Sequence, residues 1–196
     1  MTKNRIYLLI FLIAMFCLTY TATSNGEELL TRETALQFIF PDGQDFKEDN
    51  HTYSQEELKK FAKLLKKEYK ITLHKEFDKE FNFFIGYTSD GEVSHYAYID
   101  MVPGKWGAMT YIIGITIKGK VIDMAVMKYL EKRGKPVKKR RFLDQFLGKG
   151  LGDRLKVKRG IRAVSGATVS SRGMATGVRK VLALFDIYYG QKEANE

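Results

Sequence analysis

Residues 81–127 read FNFFIGYTSDGEVSHYAYIDMVPGKWGAMTYIIGITIKGKVIDMAVM, and this stretch decides the fold. Short runs rich in aromatic and β-branched residues alternate with turn signals, the pattern of paired strands. Strands are predicted at 81–88, 93–102, 111–117 and 121–127. Asp90-Gly91 is a hairpin turn signal between the first two. Pro103-Gly104-Lys105-Trp106-Gly107 forms a loop, and Lys118-Gly119-Lys120 joins the last pair. The short connections make this an antiparallel meander. Met101, Met109, Met124 and Met127 fall in the strands and read as core.

Working outward, the period changes to that of helices. In TRETALQFIF (31–40), Ala35, Leu36, Ile39 and Phe40 recur at helical spacing, and Pro41-Asp42-Gly43 ends the run. Ser54 and Glu57 form a capping box ahead of Leu58, Phe61, Ala62, Leu65 and Tyr69. A short helix is predicted at 141–147. A last helix, at about 171–189, carries Met174, Val178, Val181, Leu182, Phe185 and Tyr189 on one face, with Gly190 as its stop. The carboxylate pairs Glu27-Glu28 and Glu56-Glu57 read as helix starts. The expected class is α+β: an antiparallel sheet of four or more strands, N-terminal helices, and a C-terminal helix packed on the sheet.

The chain has 196 residues, 44% of them apolar, which is enough for a real core and excludes global disorder. One cysteine, Cys17, excludes a disulfide scaffold and Cys-ligated metal centres. His51, His74 and His95 lack metal-ligand spacing, so no metal is expected. No nucleophile elbow, P-loop, Rossmann fingerprint or haem-attachment motif occurs. Lys3 and Arg5 precede an unbroken apolar run from Ile6 to Leu18, then small and polar residues to Ser24. That is the order of a secretory signal. The run is short for a membrane span, although an uncleaved anchor is the alternative. Either way the chain is expected outside the cytoplasm, in the periplasm or cell envelope of a bacterium.

The net charge is +10. Between Lys128 and Arg162 there are fourteen Lys/Arg against three acids, Glu131, Asp144 and Asp153, and seven of the ten residues 132–141 are basic. This stretch is a solvated face or a contact for anionic lipid or a protein partner. Nucleic acid is not expected, since no binding motif is present and the signal directs the chain away from it.

Residues 161–173, IRAVSGATVSSRG, open the last helix. Ser165, Gly166 and Ala167 are small enough for a ligand to approach the backbone. Thr168 offers a hydroxyl, Ser170 and Ser171 are suited to capping, and the helix start favours an anion. On this reading alone the segment is either an ordinary cap or a phosphate site.

Ser165-Gly166-Ala167-Thr168 resembles the SGAT motif of the FMN-binding domain family, which includes flavin-carrying subunits of sodium-pumping quinone reductases and Rnf complexes. The resemblance extends from about Gly104 to Leu184 through GKWGAMTYIIGITIKGKVIDMAVMKYLEKRG and RFLDQFLGKG, with an F-x-x-Q-F-x-G helix ahead of SGAT. ALQFIFPDGQDF also looks like the lead-in of these domains. The resemblance implies FMN as cofactor, with its phosphate held at Thr168 and lined by Ser165, Gly166, Ala167, Val169 and Ser170. Glu131 and Gly134 match the family's Glu-Thr-Pro-Gly turn near the ring, and Trp106, in the loop that matches the family's Gly-rich entry, is either a ring-stacking residue or a core one. Covalent members carry an aspartate three residues before the SGAT serine, whereas this chain has Arg162, so attachment is open between covalent and non-covalent. The implied division is 1–24 signal or anchor, 25–78 helical lead-in, 79–190 FMN-binding domain and 191–196 tail. The implied role is electron transfer with a redox partner protein at the membrane, not stand-alone catalysis. The alternatives are a flavin-free basic module for anionic lipid or an envelope protein, and a small flavin reductase with exchanging FMN.

Overall fold

The computed structural model describes residues 27–41, 44–65, 80–105, 107–129 and 135–190. The apolar N-terminal run with Cys17, and also His74 and Tyr69, lie outside them. The elements are β1 (Glu27–Glu28), α1 (Arg32–Ile39), β2 (Phe46–Thr52), α2 (Gln55–Leu65), β3 (Glu80–Tyr87), β4 (Val93–Pro103), β5 (Ala108–Thr116) and β6 (Val121–Tyr129). Two 3-10 turns (Lys135–Lys138, Asp144–Phe146) flank the four-residue α3 (Arg140–Leu143). Then follow β7 (Lys156–Val157), β8 (Gly160–Ile161) and α4 (Thr168–Tyr188).

Six strands form one antiparallel sheet in the order β1-β6-β5-β4-β3-β2. The four predicted strands are its centre. The two outer strands were not predicted. Phe46–Thr52, FKEDNHT, is too polar to read as a strand because it is an edge, where charged residues discourage further pairing. Glu27–Glu28 pairs with Lys128 and Tyr129 of β6, so this pair is an edge strand and not the helix start expected. Ser54 and Glu57 do form the reciprocal capping box: Glu57 N–H donates to Ser54 Oγ at 3.2 Å, and Ser54 N–H to Glu57 Oε2 at 2.8 Å.

Strand alternation sorts the core onto two faces. Phe83, Tyr96, Tyr98, Val102, Tyr111, Ile113 and Ile115 pack with α2 and α4. Phe84, Ala97, Ile112 and Met127 pack with Ala35, Leu36 and Ile39 of α1. Met109, Met124 and Met127 are buried, but Met101 is 61% exposed. It lies on the α1 side of the sheet, where an eight-residue helix does not reach it. His51 and His95 are structural. His51 bonds to Asp49 and to the hydroxyl of Tyr189, joining edge strand β2 to the end of α4, and His95 Nε2 donates to the carbonyl of Ile39.

The approach of α4 to the sheet is very close. A Cβ on Gly173 would lie 2.3 Å from the carbonyl oxygen of Pro103. One on Gly177 would lie 2.4 Å from Val102 Cγ1 and 2.7 Å from the hydroxyl of Tyr111. One turn further, Lys180 pairs with Asp100, whose other oxygen accepts from Tyr111 at 3.2 Å. Burial, then the neighbouring Asp100 charge, pushes the Tyr111 hydroxyl well above its ordinary 10.0.

Two outcomes follow from this packing. Gly173→Ala, despite gaining about 1 kcal/mol of helix propensity, is expected to lower stability by about 1–3 kcal/mol, read as a fall in urea midpoint. A folded-state value raised above the unfolded one means that Tyr111 stabilises the fold below pH 10 and loses that contribution as pH rises further. Tyrosinate absorbance and loss of circular dichroism should therefore rise together above about pH 10, with a shallower alkaline slope in Tyr111→Phe.

Candidate functional site

The SGAT residues form a turn entering α4. Ala167 N–H donates to Val164 C=O at 3.0 Å, and Gly166 has φ +75°. A positive φ at the third position of a turn is the type II requirement that glycine meets without strain. Among the described residues other than its chain neighbours, no atom lies within 4 Å of where a Gly166 Cβ would sit, so this side of the backbone is open. Helix α4 begins at Thr168, not near 171 as expected, and its N-cap, Ala167, has no side-chain oxygen for capping. Thr168 is half-buried in the first helical position, and Ser165 and Val169 are exposed.

Ser170 and Ser171 are fully buried inside the first turn, so neither is the cap that the sequence suggested. Ser171 instead clamps the turn from within. Its hydroxyl donates to Ala167 C=O at 2.8 Å and accepts from Val164 N–H at 3.0 Å. Ser170 turns to the interior, away from the open side of the turn.

A second clamp comes from Gln145 of the F-x-x-Q-F segment. Its Oε1 accepts from Arg162 N–H at 2.8 Å, and its Nε2 donates to Arg162 C=O at 3.3 Å and to Phe142 C=O at 3.2 Å. The side chain imitates a paired strand and holds the backbone at Arg162, whose own side chain is exposed. The predicted helix at 141–147 is α3 followed by a 3-10 turn, a shape that aims Gln145 at this backbone.

The pairings Pro103↔Ala108 and Thr110↔Lys128 set the 104–107 connection and the end of β6 at one end of the sheet. Gly173 lies under Pro103 at that same end, so the N-terminal part of α4 is there too. The connection is closed by Gly104 N–H donating to Gly107 C=O at 2.8 Å. Trp106, Glu131 and Gly134 themselves lie outside the described residues. The sequence reading missed the positioning role of Gln145, visible only as part of a motif. It also missed Gly173 and Gly177, whose signal was the four-residue spacing of two glycines within a helix.

This arrangement fits a phosphate-bearing group. An open glycine backbone, an uncapped helix start and the half-buried Thr168 fall together, and Arg162 and Arg172 nearby are exposed. Residues 104–183 match the model of the FMN-binding domain family. No curated protein matches the chain. Among solved structures, the chain is similar to NqrC from Shewanella oneidensis at 19% identity and a TM-score of 0.55, covering 81% of this chain and 88% of that one. At that identity the likeness is one of fold. The turn, the uncapped helix start and the family match all fall within one segment: residues 104–183 match an FMN-binding domain, and the cofactor that this match supports is FMN.

Proposed function

We propose that this chain is an exported, envelope-associated electron-transfer flavoprotein whose FMN is joined through its phosphate to the hydroxyl of Thr168. The observation carrying the reading is the placement of Thr168. It is half-buried at the first position of α4, behind an open turn with no capping side chain, within the segment matched to the FMN-binding domain family.

When bound, FMN supplies the acceptance and release of electrons, and the chain's own residues supply position and field. The N-terminal dipole of α4 and the backbone of Gly166 favour the phosphate. Gln145 and Ser171 hold the main chain at Arg162, Val164 and Ala167, just before Thr168. Arg162 stands where covalent family members carry an aspartate. Its guanidinium suits pairing with the phosphate oxygens. The lysine-rich sequence and the apolar N-terminus support a location at the membrane, with a redox partner there.

The deciding experiment is intact mass and in-gel flavin fluorescence after full denaturation, on protein exported from a host that supplies a flavin transferase. A mass gain of one FMN less water on the Thr168 peptide, absent in Thr168→Ala with the fold retained, is the expected result. Yellow protein that bleaches on denaturation would replace covalent with non-covalent binding. Colourless protein that takes up no added FMN would overturn the flavoprotein role. Gln145→Ala removes hydrogen bonds worth about 0.5–1.5 kcal/mol each, so the affinity of the apoprotein for FMN should fall about tenfold in a fluorescence-quenching titration. Unchanged affinity would remove Gln145 from the positioning role.

A further inference from the structure

Beside the Thr168 turn lies a second feature, which shares only Arg172 with the flavin reading. A groove of about 500 Å³ runs between residues 155–159 and the face of α4 carrying Arg172, Ala175 and Thr176. Its floor is apolar, since Leu155, Val157 and Ala175 are buried core residues. Its rim is cationic: Lys156, Lys158, Arg159 and Arg172 line it, and all four are exposed. It continues into a neighbouring depression that adds Arg154, Arg179 and Asp153, whose carboxylate is paired with Lys120.

The loop that carries these cations is rigid. Lys158 N–H donates to Ile161 C=O at 3.0 Å, and Arg159 N–H to Lys156 C=O at 2.8 Å. Lys158 itself is held at φ +69°, where a side chain is strained. At Gly160, φ is +101°, and a Cβ would lie 1.9 Å from the carbonyl oxygen of Arg154. The charges are therefore displayed from a fixed frame.

They are also unbalanced. The basic residues read from the sequence as a docking run are partly spent inside the fold, Lys138 on Glu27 and Arg140 on Asp123 and Asp144. By contrast, Arg154, Lys158, Arg159 and Arg172 enter no ion pair among the described residues, and no acidic residue occurs in the sequence from Arg154 to Phe185. Val169, 47% exposed, adds an apolar contact one helical step from Arg172.

We infer that this groove docks an acidic, amphipathic segment of a protein partner, with carboxylates on the cationic rim and an apolar side chain on the floor. A free phosphate would satisfy the rim and leave the floor wet, and a flat bilayer surface would meet the rim without entering the concavity. An apolar floor ringed by uncompensated charge, with an exposed valine alongside, is the composition of a protein contact. Its position next to Thr168 brings the partner to the end of the molecule where the cofactor sits, although the docking itself does not depend on bound flavin.

The test is fluorescence anisotropy of full-length protein with a fluorescein-labelled peptide of alternating Glu and Leu, beside the same peptide with Gln for Glu. The Glu peptide should bind and the Gln peptide should not, with affinity falling about tenfold as salt shortens the screening length from about 10 Å to about 3 Å. The double variant Lys158→Asn, Arg159→Glu should weaken the peptide at least about tenfold and leave FMN uptake unchanged. Asn is chosen because it tolerates the positive φ. No peptide binding, or binding indifferent to the double variant, would overturn the inference. So would displacement of the peptide by inorganic phosphate, which would mark a small-anion site. Binding to phosphatidylglycerol vesicles without peptide binding would mark a lipid surface instead. Loss of FMN uptake in wild-type protein with peptide binding intact would sink the flavin reading alone.

Discussion

Everything at the functional end depends on how closely α4 lies on β4. Gly173 and Gly177 allow the helix to approach until its backbone meets the Pro103 carbonyl and the Val102 side chain. Any side chain there would push the helix outward. Because α4 starts at Thr168, five residues before Gly173, that contact also sets where Thr168 stands relative to the sheet. The Asp100–Lys180 pair, with Tyr111 on the second oxygen, fixes the helix one turn further on. Such a buried pair is a locator more than a source of stability, since desolvation offsets much of its attraction. The far end is tied by Tyr189, whose hydroxyl donates to Asp49 at 2.7 Å within a cluster of aromatic rings.

On this frame the site is made by local clamps. Gln145 holds the backbone at Arg162, and Ser171 holds it at Val164 and Ala167. Both use side chains to satisfy main-chain groups that a turn leaves unpaired. The result is a short loop with an open face at Gly166 and a closed inner side. A phosphate needs the open face, and a fixed backbone needs the closed one.

The charge of the chain divides in a similar way. Lys138, Arg140 and Lys120 are consumed by acids contributed from other elements, and so they describe how the fold is held. Among the described residues, Arg154, Lys158, Arg159 and Arg172 meet no such acids, and they lie along a groove and its neighbouring depression. A count of basic residues along the sequence places the excess correctly, but it cannot separate spent charge from displayed charge, because the acids that neutralise Lys138 and Lys120 are more than thirty residues away.

The sequence by itself determined the four central strands, the capped helix at Ser54 and Glu57, the closing helix, and the SGAT segment with Thr168. These are properties of local period, turn chemistry and motif, which neighbouring residues are enough to specify. It did not show the edge strands β1 and β2, because edges are polar and short and look like loops until a partner strand pairs them. It misplaced Met101 and the start of α4, and it read Ser170 and Ser171 as caps, since burial depends on what another element covers. Gln145, Gly173 and the cationic groove were decided only by tertiary structure. Each consists of contacts between residues distant in the chain, and the physics that defines them, steric approach, paired main-chain groups and uncompensated charge, exists only once those residues meet.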